Sequence, residues 1–308
     1  LIKAPAIILI NGIFGNPLSG VARQLAEVML NSGYHIIALG NPLGPKNIAQ
    51  KPRYNIGDFI AEGKAFLHNT NKAVDWLLKE NLLQGKVHLT AVSYGSFIGT
   101  IIKALDSKQI NKSITGMTTL LSPAQQMDTA LYNMDDIIIE TAHLAKHSDL
   151  SLMMKSIRFC YLPLKKKPSK KQLSKLKAIF VYLGFQRWLA DQTIVANEMY
   201  NLNKIPTNPK LRKRWRRSFS FRDYLKEFAP DLKILISSPK GKLNYWIDQF
   251  PHNEIRIFTA LDDPLNNGIQ HKWKNFPNVI SIKKAGHYGL RAFPFFNKFL
   301  YTILNINH

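Results

Sequence analysis

The chain has 308 residues, 45% of them hydrophobic, which is enough for one large core or for a core with a cap. No apolar run approaches the ~18–20 residues that a membrane span needs, and the single cysteine, Cys160, excludes an internal disulfide and a multi-cysteine metal site. The net charge of +22 is concentrated, because residues 151–240 hold 21 of the 42 Lys and Arg but only 5 of the 20 Asp and Glu. This local excess indicates an anionic partner, such as lipid headgroups, nucleic acid or an anionic substrate, or else a basic face that keeps the protein soluble.

The first part of the chain alternates between strand-like and helix-like patterns. Apolar runs at residues 5–11 and 34–39 predict buried parallel strands. A glycine-bracketed turn at residues 12–17 separates the first strand from a helix predicted over 18–31, which ends before Gly33. A polar loop then leads to a long helix predicted over 56–83.

The stretch Lys86–Gly99 predicts a buried strand, a one-residue corner at Ser93 and a helix. A serine at such a corner lies in strained geometry with its hydroxyl beyond the sheet. The positions two residues on either side must be small, and they are Ala91 and Gly95. The competing interpretation is an ordinary serine that caps the N-terminus of a helix.

A fourth strand is predicted over Ser113–Leu121, after which the alternation stops. Residues 124–243 predict a helical, basic insertion that caps the strand ends, with helices such as 127–146, 169–184 and 185–202. Two clusters carry its charge and could dock on an anionic membrane surface, whereas nucleic acid is a weaker candidate. The clustered residues are Lys165, Lys166, Lys167, Lys170, Lys171, Arg212, Lys213, Arg214, Arg216 and Arg217.

Alternation resumes with a strand over 254–260, a short helix over 267–274, a strand over 278–283 and an aromatic-rich helix over 293–304. Residues 1–123 and 244–308 therefore predict an α/β core with a mostly parallel central sheet and helices on both faces. Ligands of such sheets bind beyond the carboxyl ends of the strands.

Three polar side chains follow three of the predicted strands, in the order Ser93, Asp263, His287. A serine hydroxyl is a weak nucleophile unless an imidazole takes its proton, and the imidazole needs a carboxylate to fix its tautomer and stabilise its charged form. We therefore expect these three residues to be catalytic. Asp262 and Asp128 are the rival candidates for the carboxylate.

These residues resemble an α/β-hydrolase, in which a serine on a strand–turn–helix elbow precedes the acid and the histidine. The motifs Ala260–Pro264, Gly286–Gly289 and Ser220–Asp223 further resemble the YheT-like branch. That branch usually has more sheet ahead of the first strand, whereas this sequence begins almost on that strand, so we expect that the early hairpin is missing or was removed. The superfamily resemblance covers about residues 5–122 and 250–305. It implies ester or thioester hydrolysis through an acyl-enzyme, with no cofactor.

The resemblance also implies an oxyanion hole made of backbone N–H groups, which we assign to Ile13 and Tyr94, with Phe14 as the rival for the first. Asn11-Gly12 stands where the superfamily often has His-Gly. No His, Cys or Glu spacing suggests a metal site, and Gly12–Gly15 lacks the Lys-Ser/Thr of a phosphate-binding loop.

The sequence thus predicts a serine hydrolase of the carboxylesterase, lipase or thioesterase type that acts on a lipophilic acyl ester. An acyltransferase with the same triad remains an alternative, as does an inactive hydrolase-fold protein that binds anionic membrane or nucleic acid. A cytoplasmic or peripheral membrane location is expected.

Overall fold

The computed structural model describes residues 2–13, 17, 20–41, 57–146, 194, 197, 203–218, 220–266, 278–283 and 287. The strands in these residues are β1 Ala4–Ile10, β2 His35–Leu39, β3 Leu83–Val92, β4 Thr118–Leu121, β5 Ile255–Ala260 and β6 Val279–Ile282. They form a six-stranded sheet in the order β2-β1-β3-β4-β5-β6, and each neighbouring pair is parallel.

Helices connect these strands. In the described residues they are α1 Gly20–Asn31, α2 Phe59–Lys79, α3 Tyr94–Asp106, α4 Met127–Lys146, α5 Pro209–Ser218, α6 Phe221–Glu227, α7 Pro230–Ser237 and α8 Leu243–Ile247. Short 3-10 turns lie at Pro239–Gly241, His252–Glu254 and Pro264–Asn266. Within the part of the chain that the structure describes, no helix combines the length and the apolar character that crossing a membrane requires.

The sheet is covered on both faces. On one face α1 packs against strand residues that include Ile7 and Val92. On the other face α3 lies against β3, where a Cβ on Gly99 would come within 2.9 Å of the Ala91 Cβ. Because both faces are buried, the central strands are apolar at successive positions, and every residue from Ala6 to Ile10 has no exposed surface.

This parallel sheet, covered by helices and carrying a serine elbow directly after β3, is an α/β-hydrolase fold. The predicted fold class is therefore confirmed. The predicted helix over 127–146 is confirmed as α4.

Two predicted elements were wrong in extent. The helix predicted over 56–83 ends at Lys79, because Asn81 adopts a left-handed φ of 55° and the chain then enters β3 at Leu83. The strand predicted over 113–121 begins only at Thr118, since the N–H groups of Ser113 and Ile114 bind the Asp106 carboxylate instead of a neighbouring strand.

Other predicted elements lie outside the described residues, namely the helices over 169–184, 267–274 and 293–304. Of the helix predicted over 185–202, the structure describes Ile194 and Asn197, and both are helical.

The chain divides into two compact units, residues 1–130 with 232–308, and residues 131–231. The first contains the whole sheet. In it the chain segments around Gln126 and Lys242 pair as an isolated antiparallel bridge. The predicted division into a core and a 124–243 cap stays a prediction.

The second unit has its own polar anchor and aromatic cluster. The buried Asp135 carboxylate accepts the N–H groups of Phe221 and Arg222 at 2.7 and 2.9 Å. Ser220 and Asp223 form a capping box at the start of α6, which gives part of the Ser220–Asp223 motif a local structural role. Tyr224 and Phe228 stack with ring centroids 6.3 Å apart.

Candidate active site

Ser93 occupies the corner between β3 and α3 with φ 54° and ψ −122°, a conformation that non-glycine residues rarely adopt. Although it is the N-cap residue of α3, its side chain makes no capping hydrogen bond. The hydroxyl instead lies 2.8 Å from Nε2 of His287. The local geometry is therefore that of a nucleophile elbow rather than of a helix cap.

Close backbone packing fixes this corner. A Cβ on Gly95 would collide with the backbone carbonyl of Asn11 at the end of β1, so only glycine fits there. The Ser93 N–H donates to the carbonyl of Leu121 at 2.8 Å. The buried Ser96 hydroxyl donates to the Ala91 carbonyl at 2.8 Å, with a second bond of 3.1 Å to the Leu121 carbonyl.

His287 and Asp263 extend the contact at Ser93 into a chain of three groups. Nδ1 of His287 lies 2.9 Å from Oδ2 of Asp263. A carboxylate only accepts, so Nδ1 carries the proton and Nε2 is left to accept the proton of the Ser93 hydroxyl. Asp263 is completely buried, and its other oxygen accepts the Leu265 N–H at 3.0 Å.

The two rival carboxylates occupy other positions. Asp262 is exposed. Asp128 lies in the first turn of α4, where its Oδ1 accepts the N–H of the adjacent Thr129 at 2.6 Å. Asp263 is the one of these three aspartates that contacts the imidazole of His287 in the described structure.

The segment expected to supply the first oxyanion donor leaves the end of β1 beside the elbow. The Asn11 carbonyl, already packed against Gly95, also accepts Nδ2 of the buried Asn41 at 2.7 Å. Asn11 is therefore held by Asn41, which follows β2, and by Gly95, which follows β3. Ile13 lies two residues after this fixed position. Tyr94 is the first residue of α3, and Phe14 lies outside the described residues.

Two buried side chains that sequence reasoning missed support these positions. Asn266 is fully buried and bridges two strand exits, since its Nδ2 donates to the Pro123 carbonyl at 2.8 Å and its Oδ1 accepts the Gln125 N–H at 2.8 Å. It lies three residues after Asp263 and accordingly fixes the loop that carries that carboxylate.

The other missed residue is Glu62, whose Oε2 accepts the hydroxyl of Tyr94 at 2.5 Å. Burial raises the pKa of the Glu62 carboxyl to about 7, although the hydrogen bonds from Tyr94 and Gly57 oppose the rise. A signal was present, because Glu62 is an acid on the apolar face of α2 that also carries Phe59 and Phe66.

Of the two predicted basic clusters, Lys165–Lys171 lies outside the described residues. The second forms α5, which holds six basic and no acidic residues in ten positions. Among the described residues no group of three or more His, Cys, Asp or Glu side chains could hold a metal ion.

No protein-family model matches the sequence, and no curated protein matches it either. Solved structures with a similar course of the chain include an esterase from Rhizomucor miehei, which is 9% identical with a TM-score of 0.49 over 99% of this chain and 74% of that one. A carboxylesterase from Nitrososphaera gargenis is 12% identical, with a TM-score of 0.47 over 99% and 91%.

A thermostable carboxyl esterase from Bacillus coagulans is 15% identical, with a TM-score of 0.47 over 100% of this chain and 90% of that one. With TM-scores this low, the likeness alone defines neither fold nor activity. The fold assignment therefore depends on strand order and on the elbow, and the YheT-like branch stays a prediction.

Proposed function

We propose that this protein is a serine hydrolase that cleaves a lipophilic acyl ester or thioester through an acyl-enzyme. The observation that carries the proposal is the unbroken chain from the Ser93 hydroxyl to His287 at 2.8 Å and on to the buried Asp263 at 2.9 Å. It is supported by the strained backbone of Ser93, which holds the hydroxyl at the carboxyl edge of the sheet.

In the first half-reaction the Ser93 oxygen attacks the carbonyl carbon while Nε2 of His287 takes the hydroxyl proton. Asp263 keeps the proton on Nδ1 and stabilises the imidazolium. The negative charge that develops on the carbonyl oxygen is received by the backbone N–H groups proposed as donors, those of Ile13 and Tyr94, and each such donor typically contributes ~3–4 kcal/mol.

Collapse of the tetrahedral intermediate breaks the bond to the alcohol or thiol, and His287 returns its proton to that leaving group. A water molecule then repeats the sequence on the acyl-enzyme, with His287 as base and Ser93 as leaving group. If an alcohol takes the place of water, the same groups perform acyl transfer. Product analysis with added alcohol distinguishes the two reactions.

The direct test is covalent labelling by a fluorophosphonate probe, followed by hydrolysis of p-nitrophenyl esters of increasing acyl length. We expect wild type to be labelled and Ser93→Ala not to be. Ser107→Ala, at the other end of the same helix, is the matched control and should keep its labelling, since its hydroxyl only donates to the Ala104 carbonyl. Unlabelled wild type would overturn the proposal, and a preference for short acyl chains would remove its lipophilic part.

Asp263→Asn and Asp262→Asn form a second matched pair of adjacent residues. Loss of the carboxylate at 263 should lower kcat by roughly ten-thousandfold, because the imidazole is then held in the wrong tautomer. Asp262→Asn should leave kcat close to wild type. Equal effects of the two substitutions would contradict the assignment.

We further propose that the partner of α5 is an anionic lipid surface. The helix carries six basic residues in ten positions, and each basic residue near such a surface contributes ~1 kcal/mol. Flotation with vesicles that contain phosphatidylglycerol should recover wild type but not the triple variant Arg214→Glu, Arg216→Glu, Arg217→Glu. The control variant replaces the exposed Lys64, Lys72 and Lys79 of α2 by Glu, so that the net charge changes by the same amount. Equal loss of flotation in both variants would contradict the proposal.

A further inference from the structure

Glu62 is an unusual residue to find in the core of this fold. Its side chain has no exposed surface, and both carboxylate oxygens accept hydrogen bonds. Oε2 accepts the hydroxyl of Tyr94 at 2.5 Å, and Oε1 accepts the backbone N–H of Gly57 at 2.9 Å. Among the described residues no Lys, Arg or His forms an ion pair with it.

Stability alone does not account for this carboxyl. A buried carboxylate without a cationic partner is costly, and well-packed apolar side chains of similar volume are usually at least as stable. The position of its partner offers another reason. Tyr94 directly follows Ser93 and is itself 4% exposed, so its phenol is held inside the protein while its backbone forms the start of α3.

The surroundings place the ionisation of Glu62 near neutral pH. Burial is the main cause of its raised pKa, and the carboxylate of Asp58, the N-cap of α2, raises it slightly more. The charged residues of α3, Lys103 and Asp106, are engaged elsewhere, with Glu254 and with the N–H groups of residues 113 and 114. On β3, which also packs against α2, the ring of His88 accepts the Met117 N–H.

We propose that Glu62 is a positioning residue of the active site, which in its ionised form holds Tyr94 by the phenol and so fixes the backbone N–H that follows the nucleophile. This inference rests on the proposed hydrolase function. An ionised carboxylate accepts from both Tyr94 and Gly57, whereas a protonated one carries a hydrogen on one of the oxygens that these donors need. Turnover should therefore depend on loss of the Glu62 proton.

The experiment compares wild type with Glu62→Gln, Tyr94→Phe and the double variant. For a p-nitrophenyl ester, kcat and KM are measured from about pH 5 to 9. We expect each single variant to lower kcat at high pH by roughly ten- to a hundredfold, with KM little changed, because a small displacement of an oxyanion donor is costly in the transition state. The double variant should be no slower than the single ones, since both remove the same contact.

The ratio of wild-type to variant kcat isolates the effect of Glu62, because the groups that the two proteins share affect both rates equally and cancel. This ratio should rise with pH through about 7, the pKa of the Glu62 carboxyl. Asp106→Asn is the matched control, since Asp106 is another buried carboxylate, on the helix of Tyr94, whose two oxygens accept the N–H groups of Ser113 and Ile114. The ratio of wild-type kcat to Asp106→Asn kcat should not change with pH.

The possible failures are distinguishable. If wild type neither reacts with a fluorophosphonate nor hydrolyses esters, the proposed function fails and this inference falls with it. If wild type is active but the ratio is flat with pH, or KM alone changes, or Asp106→Asn behaves like Glu62→Gln, only the positioning role is overturned. Should Glu62→Gln fail to fold, Tyr94→Phe removes a single hydroxyl and decides the question alone.

Discussion

At Ser93 the backbone strain coincides with the proposed chemistry. A positive φ costs a residue with a side chain on the order of 1–3 kcal/mol, and such a conformation persists only where its surroundings hold it. Here the bond from the Ser93 N–H to the Leu121 carbonyl and the two bonds of the Ser96 hydroxyl do so. The exit of β4 is similarly constrained, with Ser122 at φ 47° and its N–H bound to the Phe258 carbonyl. The strain is thus held by bonds between neighbouring strand exits.

Asn266 is expected to be essential for holding the loop of Asp263 in place. Asn266→Ala leaves the Pro123 carbonyl and the Gln125 N–H without the bonds they now make, and each buried unsatisfied group costs ~1–3 kcal/mol. We expect the free energy of unfolding, measured in urea, to fall by about 2–4 kcal/mol, and kcat to fall with it because the carboxylate is no longer fixed.

The matched control for that change is Asn71→Ala. Asn71 also makes two hydrogen bonds, but to the side chains of Gln109 and Ser113 in a half-buried site where water can replace it. The control should lose about 1 kcal/mol or less and keep its kcat. If the two variants lose the same stability and activity, the bridging role of Asn266 is wrong.

Glu62 should also affect how stability varies with pH. Its pKa is about 7 in the folded protein, against the ordinary 4.5 of a glutamate, so between these values the folded state binds more protons than the unfolded state. The free energy of unfolding therefore falls as pH rises through this window, by about 3 kcal/mol for this group. Glu62→Gln should remove that fall. In urea unfolding at about pH 5 and 8, the free energy of unfolding of the variant relative to wild type should therefore be higher at the higher pH. Parallel curves for the two proteins would contradict this assignment.

At the scale of single elements, the close approach of α3 to β1 depends on one missing methyl group. A Cβ on Gly95 would collide with the Asn11 carbonyl, which is backbone and cannot rotate away. We expect Gly95→Ala to cost about 2–3 kcal/mol in thermal unfolding, the range for overpacking, and to abolish fluorophosphonate labelling because the elbow must shift.

Gly33→Ala provides the comparison for that substitution. At Gly33 nothing lies within 4 Å of an added Cβ, and only its φ of 83° opposes a side chain. The cost should be about 1–2 kcal/mol, the strain of a left-handed alanine, with labelling intact. Normal labelling of Gly95→Ala would mean that the elbow tolerates a larger residue than the packing allows.

The elements that could be predicted from sequence are those whose pattern is local. The buried run of β1 and the helix α4 carry continuous hydrophobic patterns, and their predicted extents agree closely with the structure. The end of α2 and the start of β4 depend instead on single contacts, the left-handed Asn81 and the Asp106 carboxylate that takes two N–H groups. Periodicity does not record such contacts.

The candidate site divides in the same way. Ser93, Asp263 and His287 each follow a recognisable strand, so their order along the chain sufficed to select them. Glu62 and Asn266 act through partners 32 and 143 residues away, Tyr94 and Pro123. Only the folded chain brings those pairs together, so sequence reasoning missed the supporting residues, whereas it could propose the three residues that the structure brings into contact.

In the whole molecule, the residues proposed for catalysis and the strongly basic helix α5 belong to different parts of the chain. Every residue proposed for catalysis lies in the unit made of residues 1–130 and 232–308, and so does the buried cluster between α1 and the sheet. The strongly basic helix α5 lies in the unit of residues 131–231. We therefore expect the two proposed activities, ester cleavage and lipid binding, to be separable by deletion.

The decisive variant replaces residues 131–231 by a short Gly/Ser linker. The chain before and after this segment is already joined within the first unit, by the bridge between Gln126 and Lys242 and by the bond from the Leu243 N–H to the Gln125 carbonyl at 2.9 Å. Because the buried cluster between α1 and the sheet contains no residue of the deleted segment, we expect a cooperatively folded protein that still reacts with a small fluorophosphonate at Ser93 but no longer floats with anionic vesicles. A linker of the same length inserted between Asn111 and Lys112, with nothing deleted, controls for the linker itself. Loss of labelling in a folded deletion variant would mean that the active site requires the second unit. Retained flotation would mean that the first unit binds the anionic vesicles.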